Sequence, residues 1–318
     1  MEHLQFADFH CDTILSVVLD NVDFSARNQT GHLDFPRLVE SDFLFQCFAA
    51  FCEPKFAQEG MLRQTLRLLD ACQQSIFSHP QVCLVTRGDF PLAKGSVAGL
   101  LAIEGAGFIG EDLFLVDLVH HMGVRLITLT WNGRNTLADG VGLKETAGGL
   151  TLLGQKAVKR MQELDIIVDL SHLAEKGFWD TAFITSRPLV ASHSNAKALC
   201  QHPRNLTDQQ IKEIGQTQGL IGLNLAPAFI SESPEDRTVK HLARHAAHMA
   251  QLIGPQGICL GFDLDGISSL PQGMKDITST PMVVEALAQA GFSPTEIRMI
   301  CFDNLVSFVR RYLGGESS

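Results

Sequence analysis

The chain of 318 residues has few basic side chains and no long apolar run. Lys and Arg together number 25 against 35 Asp and Glu, which gives a formal net charge of −10 at pH 7. This balance argues against nucleic acid or an anionic membrane surface as the main partner. No segment approaches the roughly 18 consecutive apolar residues that a membrane span requires. Residues 1–12 also lack the basic segment and apolar stretch of a signal peptide, so we expect no membrane association.

Disulfide and linker signals are also missing. The eight cysteines form no CxxC pair, and most of them lie inside apolar runs. Reduced and buried thiols are therefore expected, which predicts a cytoplasmic location. No low-complexity stretch or linker rich in Pro, Gly and Ser divides the chain. We predict a single catalytic domain over residues 1–313 and a short loose tail over 314–318.

Short apolar runs that end in polar residues recur along the whole chain. They are typical of strands buried on both faces, and amphipathic stretches such as 60–77, 151–163 and 238–253 separate them. Eight strands that alternate with helices predict an α/β fold, the closed (β/α)8 or TIM barrel. An open doubly wound sheet is the alternative, but residues 10–13 stand where its glycine-rich phosphate turn would be. The runs are 4–12, 43–51, 97–105, 124–132, 165–172, 188–194, 219–225 and 257–266.

Potential metal ligands lie at the ends of five of these predicted strands. In a barrel of this type the strand ends meet at the carboxyl-terminal face, where the chemistry takes place. Imidazole and carboxylate groups together suit zinc or a similar divalent ion. The set is too large for one tetrahedral ion, so it predicts two ions that share a carboxylate and a water. The candidates are His10, Asp12, Glu104, His172, His193, Asp263 and Asp265.

Each of these residues also has a structural interpretation when it is taken alone. Asp12 could cap the helix that starts near residue 13, and Glu104 could cap a helix after the third strand. The coincidence of ligand-type residues at five strand ends favours the metal site. His241, His245 and His248 are different, because they recur at helical spacing without carboxylates beside them. A partly solvated helix face is the better interpretation for these three histidines.

At these residues the chain resembles the membrane dipeptidase (renal dipeptidase) family, peptidase family M19, in its bacterial form. These metallopeptidases have an amidohydrolase-like barrel. The resemblance covers almost the whole chain and rests on seven segments in the family order. They are D-x-H-x-D at 8–12, HLDFPRL at 32–38, AIEGA at 102–106, ITLTWNG at 127–133, DLSH with FWD within 169–180, ASHSNAKALCQHPRNLTDQQI at 191–211 and GFDLDGI at 261–267.

The resemblance implies two zinc ions per chain. His10 and Asp12 would hold one ion, His172 and His193 would hold the other, and Glu104 would bridge the two. Other divalent ions are compatible with the same nitrogen and oxygen ligands.

Further site residues follow from the same resemblance. Asp263 matches the residue beside the bridging water, and Arg204 matches the arginine that receives the free carboxylate of the substrate. Trp131 stands where animal members have a histidine that contacts the tetrahedral intermediate. Phe262 replaces a smaller residue, so its ring could reshape the pocket or pack behind the strand. The segment ICFDN at 300–304 also departs from the family pattern and could alter a contact between helix and barrel.

The resemblance implies a zinc-dependent dipeptidase that hydrolyses free dipeptides, L-D as well as L-L, with a metal-bridging hydroxide. Glu104 and Asp263 would be the catalytic carboxylates, with Asp263 as general base and then general acid. Homodimerisation is a further expectation. The alternative is another binuclear amidohydrolase that acts on a lactone, a cyclic amide or an N-acyl amino acid. A barrel without activity, used as a scaffold, would predict a broken ligand set, whereas every ligand position is filled.

Overall fold

The strands of the protein form a closed parallel barrel in a computed structural model that describes residues 4–51 and 58–314. Neighbouring strands pair in the order β2-β1-β9-β8-β7-β6-β5-β4, and the pairing of β2 with β4 closes the ring. This arrangement confirms the predicted (β/α)8 barrel. The strands are β1 (Phe6–Cys11), β2 (Phe43–Phe51), β3 (Val82–Leu84), β4 (Val97–Glu104), β5 (Val124–Thr128), β6 (Ile167–Asp169), β7 (Val190–Ala191), β8 (Leu220–Leu223) and β9 (Ile258–Leu260).

Strand β3 is an additional strand that the sequence did not predict. It pairs in parallel with the first residues of β4, from Val97 to Gly99, before β5 begins to pair with β4 at Leu101. Its three residues are too few to show a period, because a strand is recognised by alternation over four or more residues.

Twelve α-helices surround the barrel among the described residues. The three helices predicted at 60–77, 151–163 and 238–253 are confirmed within two residues at each end. The side chains of Thr151 and Thr238 accept hydrogen bonds from backbone N–H groups of the first turn of two of them, which defines where these helices begin. The helices are α1 (Thr13–Leu19), α2 (Phe35–Glu40), α3 (Gln58–Ser75), α4 (Phe114–His121), α5 (Leu152–Glu163), α6 (Glu175–Ile184), α7 (Asp208–Gln216), α8 (Pro227–Ile230), α9 (Val239–Ile253), α10 (Pro281–Gln289), α11 (Pro294–Arg298) and α12 (Asn304–Leu313).

Helix α12 closes the amino-terminal end of the barrel. Its buried residues Leu305, Phe308 and Tyr312 belong to the same apolar cluster as Phe9 and other inward side chains of the strands. The rings of Phe9 and Phe308 lie 6.2 Å apart between centroids in an edge-to-face contact. The segment ICFDN enters this helix through a π-helical turn, Met299–Asp303. Apart from Gly314, the predicted tail 314–318 lies outside the described residues.

Strands in the second half of the barrel are shorter than the apolar runs that predicted them. The run 165–172, for example, contains only the three residues of β6. His172 and Asp263 lie just beyond β6 and β9 and have positive φ angles of 66° and 64°. This backbone conformation is uncommon for residues other than glycine and turns the chain out of the strand. The apolar runs therefore end in loops that carry polar side chains over the barrel.

The described helices include none with the length and apolarity that crossing a membrane would need.

Candidate metal centre and active site

Two predicted ligands come from β1 and the turn that follows it. His10 is fully buried, and neither of its ring nitrogens has a hydrogen-bond partner. Asp12 occupies the N-cap position of α1, but its side chain makes no capping hydrogen bond, and its Oδ1 atom is buried without a partner. Its Oδ2 atom lies 3.4 Å from Nε2 of His10. The side chain of Asp12 therefore faces the site instead of capping the helix.

Glu104, the last residue of β4, lies between the histidines. Its Oε1 atom is 2.8 Å from Nε2 of His172 and 3.6 Å from Nε2 of His193. Its Oε2 atom is instead 3.8 Å from Nε2 of His10. The two oxygens of one carboxylate thus face two different groups of potential ligands. The interpretation of Glu104 as a helix cap is wrong, because the side chain faces these imidazoles.

The histidines that follow β6 and β7 direct the same ring nitrogen to the centre of the site. The Nε2 atoms of His172 and His193 are 3.1 Å apart. The opposite nitrogen of each ring has a partner away from the site. Nδ1 of His172 lies 2.8 Å from Oδ1 of Asn132, and Nδ1 of His193 lies 2.7 Å from Oγ of Ser192. Such outer contacts orient an imidazole that binds a metal ion.

Asp263 follows β9 and is fixed from one side only. The Nδ2–H group of Asn224 donates to its Oδ2 atom over 2.9 Å. On the other side, a Cβ atom at position 266 would lie 2.1 Å from Oδ2 of Asp12 and 2.5 Å from Oδ1 of Asp263. Only glycine leaves room for both carboxylates, so Gly266 is required for their close approach.

Burial perturbs the ionisation of the carboxyl groups in this cluster. Burial and the charge of Glu104 raise the pKa of Asp12 to about 8, and burial also raises the pKa of Asp263. Glu104 behaves in the opposite way. Burial alone would raise its pKa, but His172 and the hydrogen bonds of the imidazoles hold it well below its usual range.

The imidazoles respond to the same neighbours. Burial, followed by the nearby charge of Arg204, lowers the pKa of His172 to about 4. Burial and the charge of His10 hold the pKa of His193 well below its ordinary value. For His10, burial is outweighed by Asp12 and Glu104, so its pKa lies well above its ordinary value.

This set of donors fits a divalent metal centre. His10, Glu104 and His193 present ligand atoms within 4.8 Å of one another, and so do His10, Asp12 and Asp263. Burial of the unpartnered nitrogens of His10 and of the free Oδ1 atom of Asp12 costs free energy unless these groups gain a partner. Imidazole nitrogen and carboxylate oxygen are the ligands that zinc and similar ions prefer.

Asp265, the last strand-end candidate, faces a neighbouring loop instead of the metal ligands. Its carboxylate accepts hydrogen bonds from the hydroxyl of Thr13 over 2.6 Å and from the backbone N–H of His32 over 2.5 Å. The backbone N–H of Asp265 in turn donates to Nδ1 of His32 over 3.1 Å. Asp265 thus joins the segment HLDFPRL to the end of β9, although it still contributes to the cavity wall.

Arg204 lies close to the histidines in a buried position. Its guanidinium donates to the carbonyl oxygen of His193 over 2.9 Å and to Oγ of Ser194 over 3.3 Å, and its Nε–H group is buried without a partner. The guanidinium also lies over the ring of Phe229, 5.5 Å from its centroid. The ring of Phe229 also contacts His202, at 4.3 Å between centroids, and Nδ1 of His202 accepts the backbone N–H of Arg204.

A cavity of about 220 Å³ opens beside the cluster. Arg204 does not line this cavity directly, but Phe229 does. Trp131 forms part of the wall, where its ring contacts Phe51 at 5.4 Å and His172 at 6.0 Å between centroids. The described lining residues are Asp12, Leu15, Phe51, Glu104, Trp131, Asn132, His172, Phe229, Asp263, Asp265, Gly266 and Ile267.

A larger cavity of about 320 Å³ lies at the opposite end of the barrel, against α12. Among the described residues, its wall contains Arg311, Gln218, Gln256 and Asn304, but no imidazole or carboxylate. Cavity size alone would place the candidate active site at this end of the barrel. The cluster of potential metal ligands places it at the other end.

Two open questions from the sequence are answered here. Phe262 is fully buried in the layer between the barrel and its helices, so its ring packs behind the strand. His241 and His248 are partly exposed as expected, but the prediction of a solvated face is wrong for His245. Its Nδ1 atom accepts from the backbone N–H of Ala196, and its Nε2–H group donates to the carbonyl oxygen of Ile230. These contacts make His245 a satisfied core histidine, and burial lowers its pKa to about 4.

The sequence argument missed the polar residues that hold the ligands. Asn132 and Ser192 contact the imidazoles, Asn224 contacts Asp263, and Asp8 accepts a hydrogen bond from the backbone N–H of residue 262 over 2.7 Å. Each is a polar residue inside or directly after an apolar run, which is the one signal that could have identified them. No single spacing connects them, because Ser192 directly precedes its partner His193, whereas the partners of Asn132, Asn224 and Asp8 follow other strands.

Comparisons with known proteins identify the family. The model of the family "Membrane dipeptidase (Peptidase family M19)" matches residues 1–312. An uncharacterised dipeptidase of Schizosaccharomyces pombe is 32% identical over 328 aligned positions, which cover 96% of this chain and 80% of the relative. A dipeptidase of Claviceps purpurea is 28% identical over 89% of this chain and 70% of its own length.

Solved structures give the same result. A metallopeptidase described as dipeptidase AC superimposes with a TM-score of 0.88 at 30% identity, over 99% of this chain and 100% of its own. A metallopeptidase of Rhodobacter sphaeroides, bound to a phosphinate mimic of the dipeptide L-Ala-D-Ala, superimposes with a TM-score of 0.87 at 28% identity, over 98% of this chain and all of its own. The chain therefore belongs to the membrane dipeptidase family, peptidase family M19, and is an enzyme of the metallodipeptidase type.

Proposed function

We propose that this protein hydrolyses free dipeptides at a centre of two zinc ions. One observation carries the proposal most directly, namely that one oxygen of Glu104 faces His172 and His193 while the other faces His10. A carboxylate in this position suits a bridge between two ions, as in hydrolases that use two metals. His10 and Asp12 would hold one ion, and His172 and His193 would hold the other. When bound, the ions supply an activated water and a Lewis-acid contact to the peptide carbonyl.

Asp263 is the proposed proton carrier. Its Oδ2 atom is held by Asn224, which leaves Oδ1 on the side of Asp12 and the cavity. In the proposed reaction the carboxylate of Asp263 accepts the proton of the attacking water. The same proton then passes to the amide nitrogen as the C–N bond breaks, so that the amine leaves as a neutral group. Burial raises the pKa of Asp263, which favours a group that both accepts and returns a proton.

Arg204 is the proposed partner of the C-terminal carboxylate of the substrate. Its unpartnered Nε–H group and its place beside Phe229, which lines the cavity, support this role. A guanidinium can contact both oxygens of a carboxylate, which makes the contact specific for a free C-terminus. Because Phe229 contacts Arg204 and lines the cavity whereas Arg204 does not line it, we expect the ring of Phe229 to move when substrate binds.

Trp131 and Phe51 are proposed to contact the N-terminal half of the substrate. Their rings contact each other and form an apolar part of the cavity wall. The cavity of about 220 Å³ is smaller than the ~300–1,000 Å³ of sites for drug-sized ligands, which supports a substrate as small as a dipeptide. The structure from Rhodobacter sphaeroides supports the proposal that a D-residue is accepted at the C-terminal position.

A cytoplasmic location and a homodimer remain predictions. The seven cysteines among the described residues are free thiols, which supports a reducing compartment, while Cys52 lies outside the described residues.

The test is a substrate panel on protein that has been stripped of metal and resupplied with zinc, cobalt or manganese. L-alanyl-L-alanine and L-alanyl-D-alanine should both be hydrolysed, and their C-terminal amides should react much more slowly. An N-acyl amino acid and a lactone serve as controls for the alternative amidohydrolase function. Hydrolysis of a control compound, with no dipeptide cleaved under any metal, would contradict the proposal.

A further inference from the structure

A chain of buried polar groups lies behind His193 and has no part in the proposed chemistry. Asp169 ends β6, Thr128 ends β5, and Ser192 follows β7, so three neighbouring strands contribute to it. All three side chains are fully buried. None of them lines the cavity beside the metal ligands.

The carboxylate of Asp169 accepts four hydrogen bonds. Its Oδ1 atom accepts from the backbone N–H groups of Ser171 and Ser192, over 3.1 and 2.8 Å. Its Oδ2 atom accepts from the hydroxyl groups of Thr128 and Ser192, over 2.7 Å each. In all four hydrogen bonds the carboxylate of Asp169 is the acceptor, so each partner must supply the proton.

This arrangement determines the direction of the next hydrogen bond. The hydroxyl of Ser192 has one proton, and that proton is donated to Asp169. Its oxygen can then only accept from Nδ1 of His193, which lies 2.7 Å away. Nδ1 of His193 must carry the ring proton, and the lone pair of the ring is left on Nε2. The Nε2 atom is the one that lies 3.6 Å from Glu104.

We propose that Asp169 is a positioning residue that acts through Ser192 and holds His193 in the tautomer whose Nε2 lone pair faces the metal centre. The inference rests on the proposed metal function. His172 has a simpler arrangement, since its Nδ1 atom contacts the amide oxygen of Asn132 directly. The pair of Asp169 and Ser192 sets the affinity of the ion that His193 binds. It does not set the affinity of the ion that His10 and Asp12 bind.

The first variant to test is Ser192→Ala, with Thr128→Val as its matched control. Both substitutions remove one hydroxyl donor from the same oxygen of Asp169, but only Ser192 contacts His193. Zinc affinity is measured by competition with a chromophoric chelator. Ser192→Ala should weaken one of the two zinc sites by roughly 10–100-fold, as loss of an outer partner does. Thr128→Val should leave both zinc affinities at the wild-type value.

The second variant is Asp169→Asn. It keeps the shape of the side chain but reverses the direction of the hydrogen bonds that run through Ser192 to His193. The backbone N–H groups need an acceptor, so the amide oxygen would face them and the NH2 group would face the hydroxyl groups. The hydroxyl of Ser192 would then accept from the amide and donate to His193. The ring proton of His193 would then move to Nε2, so that this nitrogen would no longer have a lone pair to offer to a metal ion. Asp169→Asn should therefore weaken this zinc site more than Ser192→Ala does.

Nitrogen-15 NMR of metal-free protein gives a readout that does not depend on activity. The ring of His193 should carry its proton on Nδ1 in the wild type and on Nε2 in Asp169→Asn. Equal loss of zinc affinity in Ser192→Ala and Thr128→Val would overturn the proposal, because a purely structural role moves both. Unchanged affinity in Ser192→Ala would overturn it as well. If Asp169→Asn fails to fold, the first pair of variants decides alone. Absence of dipeptidase activity, with these zinc affinities as expected, would count against the proposed function only.

Discussion

The two ends of the barrel use the same strands but bury opposite kinds of side chain. At the amino-terminal end, Phe9 and Leu126 pack against Phe308 and its neighbours on α12. At the carboxyl-terminal end, six ionisable side chains are buried within a few ångströms of one another. They are His10, Asp12, Glu104, His172, His193 and Asp263.

The physical consequences of these two kinds of burial differ. Removing apolar surface from water lowers the free energy of folding, whereas burying charged or polar groups without partners raises it. The apolar cluster at the amino-terminal end should therefore stabilise the fold. The buried ionisable groups at the carboxyl-terminal end should destabilise it, and bound metal ions should restore the lost stability. Substitutions at the carboxyl-terminal end should mainly change activity, and substitutions at the amino-terminal end should mainly change the free energy of unfolding.

The largest effect is expected for Glu104→Gln at the carboxyl-terminal end. The change removes the negative charge that faces both groups of histidines, so zinc binding and turnover should fail together. We expect kcat/KM to fall by about 10⁴-fold, or about 5.5 kcal/mol. Added zinc should raise the Tm of the wild type but not of the variant. The exposed Glu111→Gln is the control, and a Glu104→Gln enzyme with near-normal zinc content and activity would contradict the assignment.

Asp263→Asn should separate proton transfer from metal binding at this same end. The amide can still accept from Asn224 but can no longer take up a proton from water. We expect kcat to fall by about 10³-fold, or about 4 kcal/mol, with zinc content unchanged. Steady-state kinetics and metal analysis on the same preparation measure both quantities. A variant that retains near-wild-type kcat would show that Asp263 is not the proton carrier.

Phe308→Ala tests the opposite end. The ring is buried between Phe9 and Tyr312, so its removal leaves a cavity inside the apolar cluster. We expect the free energy of unfolding to fall by about 3 kcal/mol, with zinc content and kcat per folded molecule unchanged. Denaturant titration measures the loss. Ser307→Ala, an exposed neighbour on α12, should change little. A Phe308→Ala enzyme that is fully stable but inactive would contradict the assignment of stability to the amino-terminal end and of activity to the carboxyl-terminal end.

The smallest effect is expected for Arg204→Ala, which changes recognition of the substrate. The KM for a free dipeptide should rise by about 10–100-fold, or about 1.4–2.7 kcal/mol, while kcat changes less. The amidated dipeptide should be equally poor with wild type and variant, because it has no carboxylate to bind. Kinetics with both substrates check this. An equal loss on the amide would show that Arg204 acts on the fold of the loop instead.

Much of the fold could be predicted because each strand of the barrel is an apolar run of its own. The clustering of the candidate ligands could be predicted because the ends of parallel strands meet at one face, which brings residues such as Glu104 and His193 together. Strand β3 could not, since three residues show no period. His245 was misplaced because helical spacing locates a side chain on a helix but does not show which other loop covers it.

The contacts around the ligands were also beyond prediction. Ser192 contacts His193, the next residue in the chain, and Asn224, which follows β8, donates to Asp263, which follows β9; residue spacing does not show that these side chains meet. The positive φ of Asp263 belongs to the local turn after β9, where the glycine at position 266 leaves room for the carboxylates of Asp12 and Asp263. Such details follow from three-dimensional packing, which a single sequence does not specify.

The central claim is that one end of the barrel holds two metal ions. Anomalous diffraction at the zinc edge, from crystals grown with zinc, tests it most directly. The account predicts two peaks roughly 3.5–4 Å apart, one beside His10 and Asp12 and one beside His172 and His193, with Glu104 in contact with both. A single peak at this site, or zinc bound only elsewhere on the protein, would contradict the account.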